Sequence, residues 1–295
     1  MRTAKLLAGI LLSLFPFSTA RGTGADRDPS VAAMAGTRLS YRGSPAWAAW
    51  ANPAVLPFSQ PGIAVTAGWQ GWMPRYDGGN AFSLAAGGNT GSLGYAVAGS
   101  FLSGKTYEIL SPSGATEGSF RPCELDIAAG LGVKITDNLS AGAALRIFRS
   151  TLAPSSGYNV LGASLLATYR KEAVTFSAGL TDIGTQVDRK SILPAAAAIS
   201  GAFSADDGVH GFLTGVDARC YFAGGFAVSI GVEYVYDRLV FLRAGGRYCN
   251  STADLPTHAS VGTGLRLGGA EWSAAYLFAS ETLAGTFIVG ATYRF

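Results

Sequence analysis

The chain has 295 residues, of which 48% are hydrophobic, only 14% are charged and 40 are glycine. A soluble domain carries about a quarter charged residues, so this composition fits the wall of a membrane barrel; a soluble alternative needs a sandwich or solenoid with two buried sheet faces. The net charge of +3 leaves no electrostatic case for nucleic acid as a partner.

The first residues read as an export signal. Arg2 and Lys5 form a positive start, 6–17 is an apolar run, and Ser18-Thr19-Ala20 fits a small-residue cleavage site. The run is too short to cross a bilayer as a helix. The mature chain is expected to start at Arg21, and cleavage takes Lys+Arg from 22 to 20 against 19 acidic residues. No cysteine lies near that point to carry a lipid anchor. Beyond it no apolar stretch reaches the ~18 residues of a membrane helix, which excludes a helical inner-membrane protein.

The segment 22–61 holds Met34, Tyr41, Pro45, Trp47, Trp50, Pro53 and Pro57 among small residues. It is too aromatic for a disordered linker and lacks strand alternation. It is expected to fold into the lumen of a barrel as a hatch. The domain reading is therefore a signal peptide over 1–20, a hatch or plug over 21–62 and a transmembrane β-barrel over 63–295.

Strand patterns follow at 63–70, 81–88, 93–102, 123–134, 139–148, 159–169, 173–181, 195–203, 211–222, 226–236, 239–248, 259–267, 271–278 and 286–295. This predicts an all-β outer-membrane barrel of about 14 antiparallel strands, an even number as bacterial barrels have. Most strands are near the ~9–11 residues that a tilted strand needs to cross a bilayer. The connections alternate. Those at 89–92, 135–138, 170–172, 204–210, 237–238 and 268–270 are short, and those at 71–80, 103–122, 149–158, 182–194, 249–258 and 279–285 are longer. Short turns belong to the periplasmic side and long loops to the outside. Only 223–225 is short where a long loop is due.

Successive strand residues point to opposite faces. In 226–237, Phe226, Val228, Ile230, Val232, Tyr234 and Tyr236 oppose Ser229, Gly231, Glu233 and Asp237. A basic side chain on the lipid face costs about 2–4 kcal/mol near the midplane. The lumen is therefore expected to hold Glu124, Asp126, Arg146, Asp217, Arg219, Glu233, Arg243, Arg247, Arg266, Glu271 and Arg294. Both signs are present, so these charges are expected to pair across the lumen and fill it; conduction is the competing role. In the last strand Phe287, Val289, Ala291, Tyr293 and Phe295 share the lipid face. Gly290 faces the lumen, where serine should be tolerated. Tyr293 and the terminal Phe295 are the candidate signal for the barrel-assembly machinery, and lipid is the expected partner of the outer face.

No enzyme is expected: there is no G-x-S-x-G, G-x-G-x-x-G or P-loop. His210 falls at a periplasmic turn and His258 in an outer loop, so they should not meet. Asp206, Asp207 and His210 read as a solvated turn. Cys123, Cys220 and Cys249 lack metal-ligand spacing and fall near the outer rim. No metal or cofactor is expected.

Ala32-Ala33-Met34-Ala35-Gly36 followed by Ala51-Asn52-Pro53-Ala54-Val55-Leu56 resembles the entry motif of PorV/PorQ-type outer-membrane proteins. Gly231-Val232-Glu233-Tyr234-Val235-Tyr236 with Leu242-Arg243-Ala244-Gly245-Gly246-Arg247 is similar to that family's late hairpin, with Gly246 where Tyr is common. Asp182-Ile183-Gly184 before Leu193-Pro194 resembles its N-x-G … L-P segment, with Asp182 in place of Asn. The resemblance implies a bacterial outer-membrane location and a role in type IX protein secretion. It implies secretion-system components and cargo C-terminal domains as partners. The external loop 103–122, with Tyr107, Ile109, Leu110 and Phe120, is the candidate partner surface. The Asn52-Pro53-Ala54 hatch motif is shared with FadL-type transporters of hydrophobic molecules, which is the alternative reading.

Overall fold

The computed structural model describes residues 26–295 except 42, 44, 75–77, 113, 154–155, 185–192 and 253. The expected export signal at 1–20 lies outside the described residues. The strands are β1 (Gly62–Trp72), β2 (Gly79–Asn89), β3 (Leu93–Ser103), β4 (Tyr107–Leu110), β5 (Thr116–Phe120), β6 (Cys123–Lys134), β7 (Leu139–Ala153), β8 (Ser156–Lys171), β9 (Val174–Gly184), β10 (Ala196–Asp206), β11 (His210–Tyr221), β12 (Phe226–Tyr236), β13 (Val240–Cys249), β14 (His258–Leu267), β15 (Ala270–Phe278) and β16 (Phe287–Arg294). All except β4 and β5 close into one antiparallel barrel of 14 strands, each beside its neighbour in the barrel order. The seam is β1 on β16, from Ala64 opposite Arg294 to Gly71 opposite Phe287. No helix among the described residues is long and apolar enough to cross a membrane; the strands do the crossing.

The two-residue alternation sets the wall. Along β12 exposure strictly alternates from Phe226 to Tyr234, with Ala227, Ser229, Gly231 and Glu233 inward. Outward large side chains form a continuous apolar band that includes Leu84, Ile127, Leu145, Ile199 and Ile230. Such a band on a closed sheet is the lipid face of an outer-membrane barrel. At the turn end, Asp207 accepts hydrogen bonds from the backbone N–H groups of Val209 (3.0 Å) and His210 (2.6 Å), closing a tight connection.

Three details differ from the sequence reading. The 103–122 connection is not an open loop: β4 and β5 form a hairpin in it, with Tyr107 opposite Phe120. The 149–158 connection is mostly strand, because β7 and β8 are 15 and 16 residues long and run beyond the bilayer span. Strand β9 does not stop at Thr181; it continues to Gly184 through a bulge, with a register shift opposite Ala163–Leu165 and Asp182 at φ 54°. The short outer connection after β11 is a tight turn in which Gly224 and Gly225 take φ 101° and 84°, values that glycine reaches without strain.

The band yields a test. Ile199 sits mid-strand on the lipid face, 64% exposed. Ile199→Arg should cost about 2–4 kcal/mol, whereas Glu172→Gln in an exposed turn should be neutral. Urea titration of the protein refolded into lipid vesicles measures both, and a neutral Ile199→Arg would place this face away from lipid.

Candidate functional site

Against the inner wall lie the described residues of 26–61, which include a short helix α1 (Pro29–Ala33) and two 3-10 turns, Pro45–Ala49 and Pro53–Phe58. Asp28 caps α1 by accepting from the Ser30 N–H at 2.9 Å, and Pro29 at the first position needs no N–H partner. Asn52 caps the second 3-10 turn in the same way, accepting from the Ala54 N–H at 2.9 Å. All of Pro53–Phe58 is buried.

The wall accepts this segment where it carries glycine. Added Cβ atoms at Gly130, Gly132 and Gly142 would strike Pro53 and Ala54, and those at Gly231, Gly245 and Gly262 would strike Ala33, Met34 or Ala35. Backbone thus lies on backbone. Gly290 faces the lumen, yet a Cβ there stands 3.1 Å from Pro29 Cγ and 3.1 Å from the Ala67 oxygen. The serine expected to be harmless at this position therefore presses on α1.

The hatch motif residues are together. Asn52 is fully buried; its Nδ2 donates to the Leu39 oxygen (2.7 Å) and to Thr168 Oγ1 (3.0 Å). Ser177 Oγ donates to Leu39 O (3.0 Å) and lies 2.9 Å from Thr168 Oγ1; Ser40 Oγ donates to Ser177 Oγ at 3.1 Å. Ser140 Oγ donates to the Ala54 oxygen. This network ties the plug to β7, β8 and β9.

The interior charges fall into three groups. Asp126 takes a two-pronged contact from Arg146 (2.6 and 2.9 Å), pairs with Arg27 (2.9 Å) and accepts from Trp50 Nε1 (3.2 Å). Arg146 also reaches Asp182 at 3.0 Å, and Glu124 is buried nearby with Ser150 donating to it. Asp217 accepts the backbone N–H groups of Arg38 (2.9 Å) and Leu39 (3.1 Å) and the Ser200 hydroxyl (2.6 Å). Above it Asp254 binds Arg247 (2.6 Å), Arg219 (3.6 Å) and the Tyr221 hydroxyl. At the turn end, Glu233 binds Arg243 (2.6 Å) and Tyr41 (2.9 Å), while Glu271 binds Arg243 (3.2 Å), Arg266 (2.6 Å) and Arg294 (3.9 Å). The expected pairing across the lumen does not occur, because the plug occupies the axis. The charges pair along the wall and with the plug.

Sequence reading named Tyr41 in the plug but passed over Asp26, Arg27, Asp28 and Arg38 there and Asp254 of an outer loop. Their signal was present: charged residues inside an aromatic, otherwise uncharged segment need partners once buried. His210 and His258 stand at opposite ends of the barrel, since β11 begins at the turn end and β14 at the loop end. Cys123, Cys220 and Cys249 are free. Tyr107, Ile109 and Phe120 are half-buried on one face of the β4–β5 hairpin and Leu110 is exposed on the other. Tyr293 and Phe295 meet edge-to-face at 4.8 Å on the outside of the seam. Among the described residues no group of His, Cys, Asp or Glu could hold a metal.

Cavities run in series through the plugged lumen and share walls. A polar one of about 30 Å³ lies at the loop end and shares Arg27, Arg38 and Trp50 with a central one of about 40 Å³. The central chamber is lined by Val31, Tyr41, Pro45, Trp47, Trp50, Val55 and Leu56 among other apolar groups, with Asp26, Arg27, Asp28 and Arg38 also on its wall. Trp47 and Trp50 stack there at 5.5 Å. Tyr41, Pro45 and Ser59 separate it from a vestibule of about 650 Å³ at the turn end.

No protein-family model matches the chain, and no curated protein matches it. Solved structures do. The chain is similar to the toluene transporter TodX of P. putida, with TM-score 0.66 and 14% identity over 93% of this chain and 99% of that one. The toluene transporter TbuX of Ralstonia pickettii gives 0.64 at 14% identity over 93% and 99%. A FadL homologue of Pseudomonas aeruginosa gives 0.54 at 13% over 92% and 98%. The chain has the fold of these outer-membrane barrels.

Two tests follow. Asn52→Ala removes a cap and leaves the Leu39 carbonyl and Thr168 short of a donor, and should cost about 1–3 kcal/mol. Gly142→Val should disturb the same region by forcing Ala54 away. Thermal unfolding in detergent measures both against Gly99→Ala, where a Cβ meets nothing within 4 Å. The second concerns Asp254. Burial opposes its ionisation, but Arg247 and Arg219 outweigh burial and hold the carboxyl well below the usual range. Its folded pKa is depressed, so its stabilisation is full above the unfolded value of about 3.9 and fades only below it. Hydrogen exchange in residues 250–257 should stay slow at pH 5 and rise in strong acid, whereas Asp254→Asn should exchange fast at pH 7.

Proposed function

We propose that this protein carries hydrophobic small molecules across the outer membrane through a lumen gated by its N-terminal plug. The observation that carries this reading is the central apolar chamber with its Trp47–Trp50 stack, set between a polar cavity on the loop side and an open vestibule on the turn side. A guest that shed its water at the loops would meet the aromatic stack there before it reached the vestibule, whose lining includes Phe58, Leu213 and Phe241. The fold is shared with proteins described as toluene transporters and with a FadL homologue, which supports transport over catalysis. The residue-level resemblance to PorV/PorQ proteins gains no support from these comparisons. The transport alternative is the better-founded reading, and secretion of cargo through Tyr107, Ile109, Leu110 and Phe120 is its competitor.

The test is uptake. Cells that carry the protein in their outer membrane should accumulate a labelled monoaromatic hydrocarbon faster than cells with an empty vector. Trp47→Asp puts a charge into the chamber and should abolish the gain while the barrel still migrates as a folded species on an unheated gel. No gain with the intact protein would sink the transport reading. Retention of a cargo C-terminal domain on the purified protein, without uptake, would transfer the assignment to secretion.

A further inference from the structure

The polar cavity at the loop end holds an excess of donors. Its volume is about 30 Å³, room for one or two water-sized guests at roughly 10–15 Å³ each. Arg27 and Arg38 of the plug line it together with Arg146, Arg219 and Arg247 of the wall. Arg219 is 7% exposed, and among the described residues neither its Nε nor its Nη2 has a hydrogen-bond partner. Its nearest carboxylates, Asp254 at 3.6 Å and Asp217 at 3.8 Å, are ion-paired but beyond hydrogen-bond reach. The Nε groups of Arg27, Arg38 and Arg247 are likewise buried and unpaired.

Buried donors left without a partner are costly, more so when charged, so a guest that only accepts is favoured. The carboxylates around the cavity are already engaged. Asp254 is taken by Arg247, Tyr221 and the Leu255 N–H; Asp182 by Arg146; Asp26 by Arg38 at 2.7 Å. Water would bring two further donors to these occupied acceptors, whereas a halide brings none. Guanidiniums outnumber carboxylates in the lining five to three. Asp126 and Asp217 stand just behind it, the first committed to Arg27 and Arg146 and the second to the plug backbone.

We propose that this cavity is a binding site for a small inorganic monovalent anion of the chloride class, held by Arg219 and Arg247 of the wall and by Arg27 and Arg38 of the plug. The anion supplies the missing acceptor and joins plug to wall at the loop end. It adjoins the central chamber, with which it shares Arg27 and Arg38, and it does not depend on what the barrel carries.

Purified full-length protein in detergent is melted in sodium chloride and in sodium gluconate at equal ionic strength, which separates binding from screening. Chloride should raise the unfolding midpoint and gluconate, too large for the cavity, should not. Arg219→Gln should lose the chloride response, and Arg266→Gln, at the opposite mouth, should keep it. Crystals of the unmodified protein grown in sodium bromide give a second readout that does not require the variant to fold. An anomalous peak within hydrogen-bond distance of Arg219 Nε supports the site. Its absence, with ordered water only, overturns the proposal, as does an equal response to chloride and gluconate.

Discussion

A ring of 14 strands is too wide to be filled by its own side chains. About eight strands give an interior that side chains just fill, and 16–18 leave an aqueous channel. Every other feature of this protein answers that width. Something must occupy the axis, and here the chain's own residues 26–61 do. They bring backbone with them, and buried N–H and C=O groups need partners. The wall supplies these through Ser177, Ser140, Ser260 and Asp217. Ser260 is a clear case, donating to the Ala33 oxygen and accepting from the Ala35 N–H, both at 2.9 Å.

The same width explains the glycine content. A plug of small residues can approach a strand closely only where that strand has no side chain on its inner face. Pro53 and Ala54 meet Gly130, Gly132 and Gly142 on two adjacent strands, and Met34 meets Gly231 and Gly245 on another pair. Between these smooth tracts the wall carries its charges. A buried ion that loses its partner costs several kcal/mol, so the pairs are built redundantly. Asp126 and Glu271 each engage more than one arginine. The Glu233–Arg243 pair sits at directly opposed positions of β12 and β13, where cross-strand geometry brings the groups together without bending either chain.

What the sequence made legible was whatever depends on period two. Phe226, Val228 and Ile230 against Ser229 and Glu233 declare a lipid face and an inner face, and the short turns declare which end is which. The length of β7 and β8 was not legible. Ser150 and Tyr158 continue the alternation past the bilayer, where polar and aromatic residues look the same in a strand or a loop. The β9 bulge was hidden too, because Asp182 at positive φ reads as the end of a strand when it is a kink within one. The β4–β5 hairpin was masked by Gly104, Ser111 and Gly114, which punctuate like loop residues. The plug was visible as aromatic density around Trp47 and Trp50, but its partners on the wall were not. Contacts such as Asn52 to Thr168 or Arg38 to Asp217 join positions more than a hundred residues apart and leave no local mark.

The cavities constrain how anything could pass. Pockets for small ligands are typically about 300–1,000 Å³. The vestibule of about 650 Å³ and a neighbouring hollow of about 440 Å³ beside Phe58 and Arg170 are that large, while the central and outer spaces are about 40 and 30 Å³. Transit therefore requires the shared walls between cavities to move. The outer partition, Arg27 and Trp50, is fixed by an ion pair and a hydrogen bond to the same Asp126, with Arg27 lying 5.0 Å over the Trp50 ring. The inner partition, Tyr41 and Pro45, is fixed on the wall side by one phenol hydrogen bond to Glu233, whose charge remains paired with Arg243 if Tyr41 leaves. Releasing Tyr41 strands no ion, whereas releasing Arg27 strands its own guanidinium, Asp126 remaining paired with Arg146. On the proposed transport reading the inner wall is therefore the one that yields at lower cost, toward the vestibule rather than toward the loops.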